Sequence, residues 1–157
     1  MSKGKLNRSI RLARRLERLG PEPCCRRCGE TAIRKLEPGA RQNLCRECRL
    51  IASGKEPFED HHPAGRRNDP CAVRLPANDH AVLSDKQEDW ATGTRRNRSL
   101  DFLHADAARD QATHDWHLHI AEQSEAWAKI KEALAEFLEV KLGPDWWEMF
   151  QEWWNDR

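Results

Sequence analysis

The sequence predicts an α+β protein: a small cysteine-bounded module, then two strands and a helix, then a mostly helical C-terminal region. Three observations predict it. Two C-x2-C pairs, Cys25/Cys28 and Cys45/Cys48, frame one short segment. The run "EDHHPAGRRNDPCAVRLPANDHAVLSD" (59–85) reads as strand, polar loop, strand and helix. Beyond residue 100, apolar residues recur at i, i+3, i+4 and i+7, the spacing of one helix face.

Residues 1–20 form the first element. In "KLNRSIRLARRLERL" (5–19) Leu6, Ile10, Leu12, Leu16 and Leu19 recur in a roughly helical pattern with arginines between them, and Gly20-Pro21 and Pro23 stop the helix. Residues 21–55 form the cysteine module, ending in a short linker. Residues 56–90 carry candidate strands at 58–62 and 71–75 and a helix from about 77 to 89. Residues 91–99 are a polar linker. Residues 100–157 are acidic and Trp-rich, with helices expected at 100–112 and 114–142 before Gly143-Pro144 breaks the pattern.

Composition narrows the function. Of the 157 residues, 34% are charged and 38% hydrophobic, with mean hydropathy −0.92. That is a poor supply for one large core, so a staple is expected. No apolar run approaches the ~20 residues of a membrane span, and the basic start lacks the apolar stretch of a signal peptide. A cytoplasmic protein is expected, in which the six cysteines are metal ligands or free thiols rather than disulfides. Charge is strongly asymmetric. Residues 1–55 hold 15 Lys/Arg against 5 Asp/Glu, and residues 99–157 hold 5 against 13. A basic front end suits a polyanion such as DNA; the acidic back end does not.

Cys25, Cys28, Cys45 and Cys48 have the spacing of a closed tetrahedral sulfur site, the usual form of structural Zn2+. Cys24 could replace Cys25, but only Cys25 has the two-residue gap. Binding zinc would supply most of this module's folding energy. Arg26, Arg27, Arg34, Lys35, Arg41, Arg46 and Arg49 around it, and Arg11, Arg14 and Arg15 on the first helix, are candidate phosphate contacts.

His61 and His62 stand side by side, and His80 follows at a helix position. Adjacent strand residues point to opposite sides. One ring of the pair can therefore serve a metal and the other a water, while His80 closes the metal site. That suits phosphodiester hydrolysis, with a His base for the water and a cation at the leaving oxygen. Arg66 and Arg67 are candidate backbone-phosphate contacts, or else partners of Asp69 or Glu59.

The run from Glu59 to Trp90 resembles the HNH endonucleases, and more narrowly the subgroup reading E-x-H-H-x-x-G-R with C-x2-C pairs upstream. The resemblance covers roughly residues 24–90, and such proteins are common in phages and mobile elements. It implies a ββα-metal unit, with His61 and His80 binding Mg2+ or another divalent ion and His62 acting as general base. Asp60 is a poorer candidate ligand, since using it would make His61 the base. The resemblance also implies an Asn in support: Asn68 to hold the loop or the base's backbone, or Asn78 to cap the helix or turn toward the metal. Many relatives carry L-C-x-x-C-H where this chain has Leu75-Pro76-Ala77-Asn78-Asp79-His80, so no second zinc site is expected there. Cys71 is read as a buried strand position. The leading reading is a DNA endonuclease; the rival is a non-catalytic zinc-stabilised nucleic-acid adaptor.

In "THDWHLH", His114, His117 and His119 read as solvated or capping residues. The Trp, Met and Phe of the tail read as core packing. An alternative is a protein-binding face, and a further one is a tail folded back on the basic N-terminal region.

Overall fold

A computed structural model describes residues 3–39, 42–148 and 151. The chain divides into two compact units, Met1–Trp116 and His117–Arg157. The fold is mixed α+β and mostly helical, with two small two-stranded sheets.

Helix α1 (Lys3–Leu19) ends where Gly20 turns left-handed at φ +88°, its N–H bonding the Leu16 carbonyl. Strands β1 (Leu36–Glu37) and β2 (Leu44–Cys45) pair antiparallel, with Leu36 opposite Cys45. Helix α2 (Arg46–Ala52) follows at once, and the Cys45 sulfur caps it by accepting from the Cys48 N–H. The core here is small. Leu19, Leu36 and three cysteines are buried together, with Ile33 and Leu44 against them. So α1 uses its last apolar residue to close the cysteine module.

Strands β3 (Phe58–His61) and β4 (Val73–Pro76) form the second antiparallel hairpin, with Glu59 opposite Leu75 and His61 opposite Val73. Helix α3 (Ala77–Gln87) leaves β4 without a break and packs back on the hairpin. Its first turn interlocks with that of α2. The Glu47 N–H donates to Asn78 Oδ1, and the Asn78 N–H donates to Glu47 Oε1, each at 3.3 Å. Each side chain thus satisfies an orphan donor at the other helix's N-terminus. The asparagine with two possible roles therefore caps α2.

Helix α4 (Thr92–Arg96) occupies the stretch expected to be a linker. Helix α5 runs unbroken from Phe102 to Leu142, where two helices had been expected. No Gly or Pro lies between those ends, and Thr113 returns its hydroxyl to the Arg109 carbonyl at 3.0 Å instead of leaving the helix. Within the first unit, Ala108 and Ala112 of α5 pack with Ala64 and Trp90. The Trp90 indole donates to Asp115 Oδ2 at 2.8 Å, so the buried carboxylate has a partner.

Candidate functional site

Two sites emerge in the first unit. In the first, Cys25, Cys28, Cys45 and Cys48 bring their sulfurs within 4.8 Å of one another. Among the described residues they are the one cluster of three or more His, Cys, Asp or Glu able to share an ion. Cys25 and Cys28 come from the turn after α1; Cys45 and Cys48 come from β2 and the first turn of α2. Burial resists ionising Cys25, but backbone bonds involving Cys45, Arg27 and Cys28 outweigh it and bring its pKa down to about 6. Cys48 is pushed well above the usual thiol range, by burial first and then by the other three cysteines. Cys28 is raised as well, mainly by burial. Four thiolates this close repel one another strongly unless a cation sits among them, so this donor set fits Zn2+. Cys24 is half-buried beside the cluster. Cys71 is exposed and precedes β4, which corrects its reading as a buried strand position; it terminates a polar turn whose Asp69 accepts its N–H.

The second site is built on the hairpin and α3. Alternation along β3 puts Glu59 and His61 on one face. His61 is 3% exposed, and its ring centroid lies 5.2 Å from that of His80, edge to face at 81°. Burial, with the charges of His80 and His62, lowers the His61 pKa to about 4, so the ring is neutral at pH 7 and can act as a ligand. His80 Nδ1 lies 3.1 Å from Glu59 Oε2. A carboxylate only accepts, so Nδ1 carries the hydrogen and Nε2 keeps its lone pair, with Ser84 Oγ at 3.5 Å. Glu59 is in turn gripped by Arg46 through two bonds of 2.9 and 2.8 Å. The Arg46 bonds hold the Glu59 carboxyl below its usual range.

His62 faces a different environment. Its Nδ1 is 3.1 Å from the Cys71 carbonyl oxygen, so Nδ1 donates there. Its Nε2 accepts from Arg66 Nε at 3.1 Å. The tautomer with a basic Nε2 is therefore the one the surroundings select. Gln87 of α3 donates to the His62 and Pro63 carbonyls at 2.9 and 2.6 Å and fixes the backbone there. Asn68 is buried. Its amide donates to the Ala64 and Thr94 carbonyls, and its oxygen accepts from Asn97. It braces the loop after His62 and ties it to α4.

The arginines divide into two sets. Arg14, Arg26, Arg27 and Arg67 are exposed. Arg46 is not turned outward as a phosphate contact: its guanidinium joins Glu37 to Glu59 and so links the cysteine module to the hairpin. Arg11 is committed to Asp85 and Asp89, Arg15 to the Leu36 carbonyl and Arg34 to Asp85. Lys35 pairs with Glu30 and Arg49 with Glu37. Arg41 lies outside the described residues. Neither Asp69 nor Glu59 takes Arg66 or Arg67; Asp69 faces Arg109 at 3.4 Å. Sequence reasoning missed Glu59 as the partner of His80, although its place two residues before His61 on one strand face was the available signal. Gln87 and Asn97 carried no such signal.

In the second unit, Trp127, Ile130, Leu134, Phe137 and Trp147 are each roughly half exposed rather than packed in a core. His117 is exposed, whereas His119 is buried beside Gln123, which corrects its reading as a solvated residue. His114, in the first unit, is exposed next to Asp115. Met149, Phe150, Trp153 and Trp154 lie outside the described residues. No helix among the described residues is long and apolar enough to cross a membrane. No protein-family model, curated protein or solved structure matches the chain.

Proposed function

We propose that this chain is a zinc-stabilised endonuclease of the HNH type that hydrolyses DNA phosphodiester bonds. The observation that carries the reading is the convergence of His61 and His80 at 5.2 Å, on a hairpin and helix that hold the adjacent His62 in a basic tautomer. His62 Nε2 is the group to take a proton from the attacking water. Its Nδ1–H bond to the Cys71 carbonyl keeps the ring oriented and eases the positive charge it acquires. Arg66, close to Nε2, is placed to exchange that bond for a phosphate oxygen when the strand arrives. His61 and His80 are the residues to hold a divalent ion, whose contribution when bound is to stabilise charge on the phosphate and on the leaving 3′ oxygen. Two imidazoles are softer than the oxygen ligands Mg2+ prefers, so Mn2+ and Ni2+ belong in the same assay.

The test is nicking of supercoiled plasmid with Mg2+, Mn2+ or Ni2+, with EDTA, and with His62→Ala. The expected result is ion-dependent nicking that EDTA and His62→Ala both abolish, while DNA binding by the variant persists. A plasmid left supercoiled with every ion and at every salt concentration removes the nuclease reading and leaves the zinc-stabilised adaptor in its place.

A further inference from the structure

The segment 92–104 folds into a feature that the nuclease reading does not use. A cavity of about 460 Å3 opens between α4 and the start of α5. Thr92, Arg96, Arg98, Ser99 and His104 line it, with Gly93 as part of its wall. Among the described residues, neither Arg96 nor Arg98 has a hydrogen-bond or ion-pair partner, in contrast to Arg95 beside them, which pairs with Glu88. The nearby acid is already occupied. Asp101 Oδ1 accepts from the Leu103 and His104 N–H groups and lies 3.5 Å from His104 Nδ1.

The backbone is held in an unusual shape to make this pocket. Asn97 and Leu100 both take left-handed conformations, at φ 29° and 55°, which a non-glycine residue adopts at a cost. The Asn97 side chain supplies the restraint. Its amide donates to Asn68 Oδ1 at 2.8 Å and to the Asp101 carbonyl at 3.0 Å, and its oxygen accepts from the Asp101 N–H at 2.9 Å. Asn97 is 2% exposed. Gly93 leaves room for the His104 ring: a Cβ there would lie 2.6 Å from His104 Nε2. The result is two unpaired guanidinium groups and two hydroxyls around one concavity, joined through Asn68 to the loop that carries His62 and Arg66.

We infer that this pocket binds one phosphate of the DNA backbone, as a second anchor for the strand that His62 attacks. Two arginine forks and two hydroxyl donors suit an oxyanion with several acceptor oxygens. No carboxylate, which would repel an anion, is among the lining side chains. The strand as ligand rests on the nuclease reading; the anion chemistry rests on the pocket.

The experiment measures binding of a short DNA duplex against salt concentration, by fluorescence anisotropy, with the full-length zinc-loaded protein. Removing one phosphate contact lowers the slope of log K against log salt by about one. Arg96→Gln/Arg98→Gln is expected to show that drop, on every duplex sequence, with an unchanged melting temperature because both side chains are exposed. Gly93→Ala, whose Cβ would clash with the His104 ring at the cavity wall without removing a charge, is expected to weaken binding too. Lys129→Gln/Lys131→Gln removes the same charge from α5 and is expected to leave the slope unchanged. An unchanged slope in the arginine double variant, with wild-type duplex binding intact, overturns this inference alone. So does an equal drop in the lysine control. Wild-type protein that binds no duplex overturns both this inference and the nuclease reading. Inorganic phosphate that binds the wild type, while the double variant keeps its duplex slope, overturns the strand as ligand.

Discussion

Arg46 is the residue whose removal tests the assembly of the site most directly. It stands one residue after Cys45, yet its guanidinium reaches across to Glu59 on β3 and also to Glu37 on β1. Arg46→Gln takes a guanidinium from two carboxylates at once, leaving Glu37 with Arg49 and Glu59 with His80. The magnitude follows from their exposure. Breaking a fully buried pair by removing one partner costs about 3–5 kcal/mol, whereas an exposed pair is worth under ~1 kcal/mol. Here the side chains are 38% exposed for Arg46, 22% for Glu59 and 12% for Glu37. The expected loss is therefore intermediate, about 2 kcal/mol. That is roughly a thirty-fold fall in the folded-to-unfolded ratio and about 4–8 °C in melting temperature for a chain of this size.

Urea unfolding of the zinc-loaded protein measures the loss directly. Arg46→Lys restores the charge but not the two-pronged grip and is expected to recover less than half of it. Because Glu59→Gln removes the charge that lost its guanidinium, the double variant Arg46→Gln/Glu59→Gln should be less destabilised than the single losses added together. The coupling is expected at about 1–2 kcal/mol. The same substitution frees Glu59 to reorient, so the hold on His80 Nδ1 loosens and divalent-ion binding is expected to weaken roughly tenfold. If Arg46→Gln lies within ~0.5 kcal/mol of wild type, or the cycle shows no coupling, then the ion pairs are surface decoration and the module does not brace the hairpin.

Three further outcomes are expected. Elemental analysis of purified protein should find one zinc per chain. Cys45→Ser should lose it and unfold the module cooperatively, because that cysteine is a candidate ligand while serine still caps α2; full folding after chelation would refute the zinc role. Trp90→Phe keeps the apolar ring but leaves the buried Asp115 without its 2.8 Å donor, so a loss of about 1–3 kcal/mol is expected by thermal unfolding; a change under ~0.5 kcal/mol would show that water replaces the bond. Acid should destabilise the zinc-loaded protein, assayed without added divalent ion, in two stages. Below the unfolded value near 6.5, His61 takes up a proton in the unfolded chain that the buried ring refuses until about pH 4, so stability falls across that window. Burial favours the neutral form of Glu37, but Arg46 and Arg49 more than reverse this and lower its pKa, so its contribution is present above the unfolded value near 4.5 and is lost as pH falls through the lower folded value. A stability curve flat from pH 7 to 4 would contradict the burial of His61.

What was legible in the sequence was what local spacing controls. Two matched C-x2-C turns need only a short-range pattern to bring two thiols together, and the structure gathers all four. The hairpin and α3 follow from strand-length runs and a helix start, and their boundaries agree with the expectation to within two residues. Several of the misreadings concern partners distant in sequence. Charge alone made Arg46 and Arg11 look like free cations, but Glu59 lies 13 residues from the first, and Asp85 and Asp89 lie more than 70 from the second. A polar, Gly-containing stretch looked like a linker because its restraint, the Asn68–Asn97 bond, spans 29 residues. The gap expected between the two C-terminal helices is closed locally, where Thr113 bonds back to the Arg109 carbonyl within the helix. The basic front end is thus not a uniform phosphate-binding surface. Much of its positive charge is spent internally, on the acids of α3 and the hairpin. Among the described residues of the first unit, the cations whose side chains have no partner are scattered: Arg14 on α1, Arg26 and Arg27 on the cysteine turn, Lys55 after α2, Arg67 after the His62 loop, and Arg96 and Arg98 at the pocket. Any strand this protein holds must be recognised at those points, and the salt dependence of binding should count them rather than the net charge of residues 1–55.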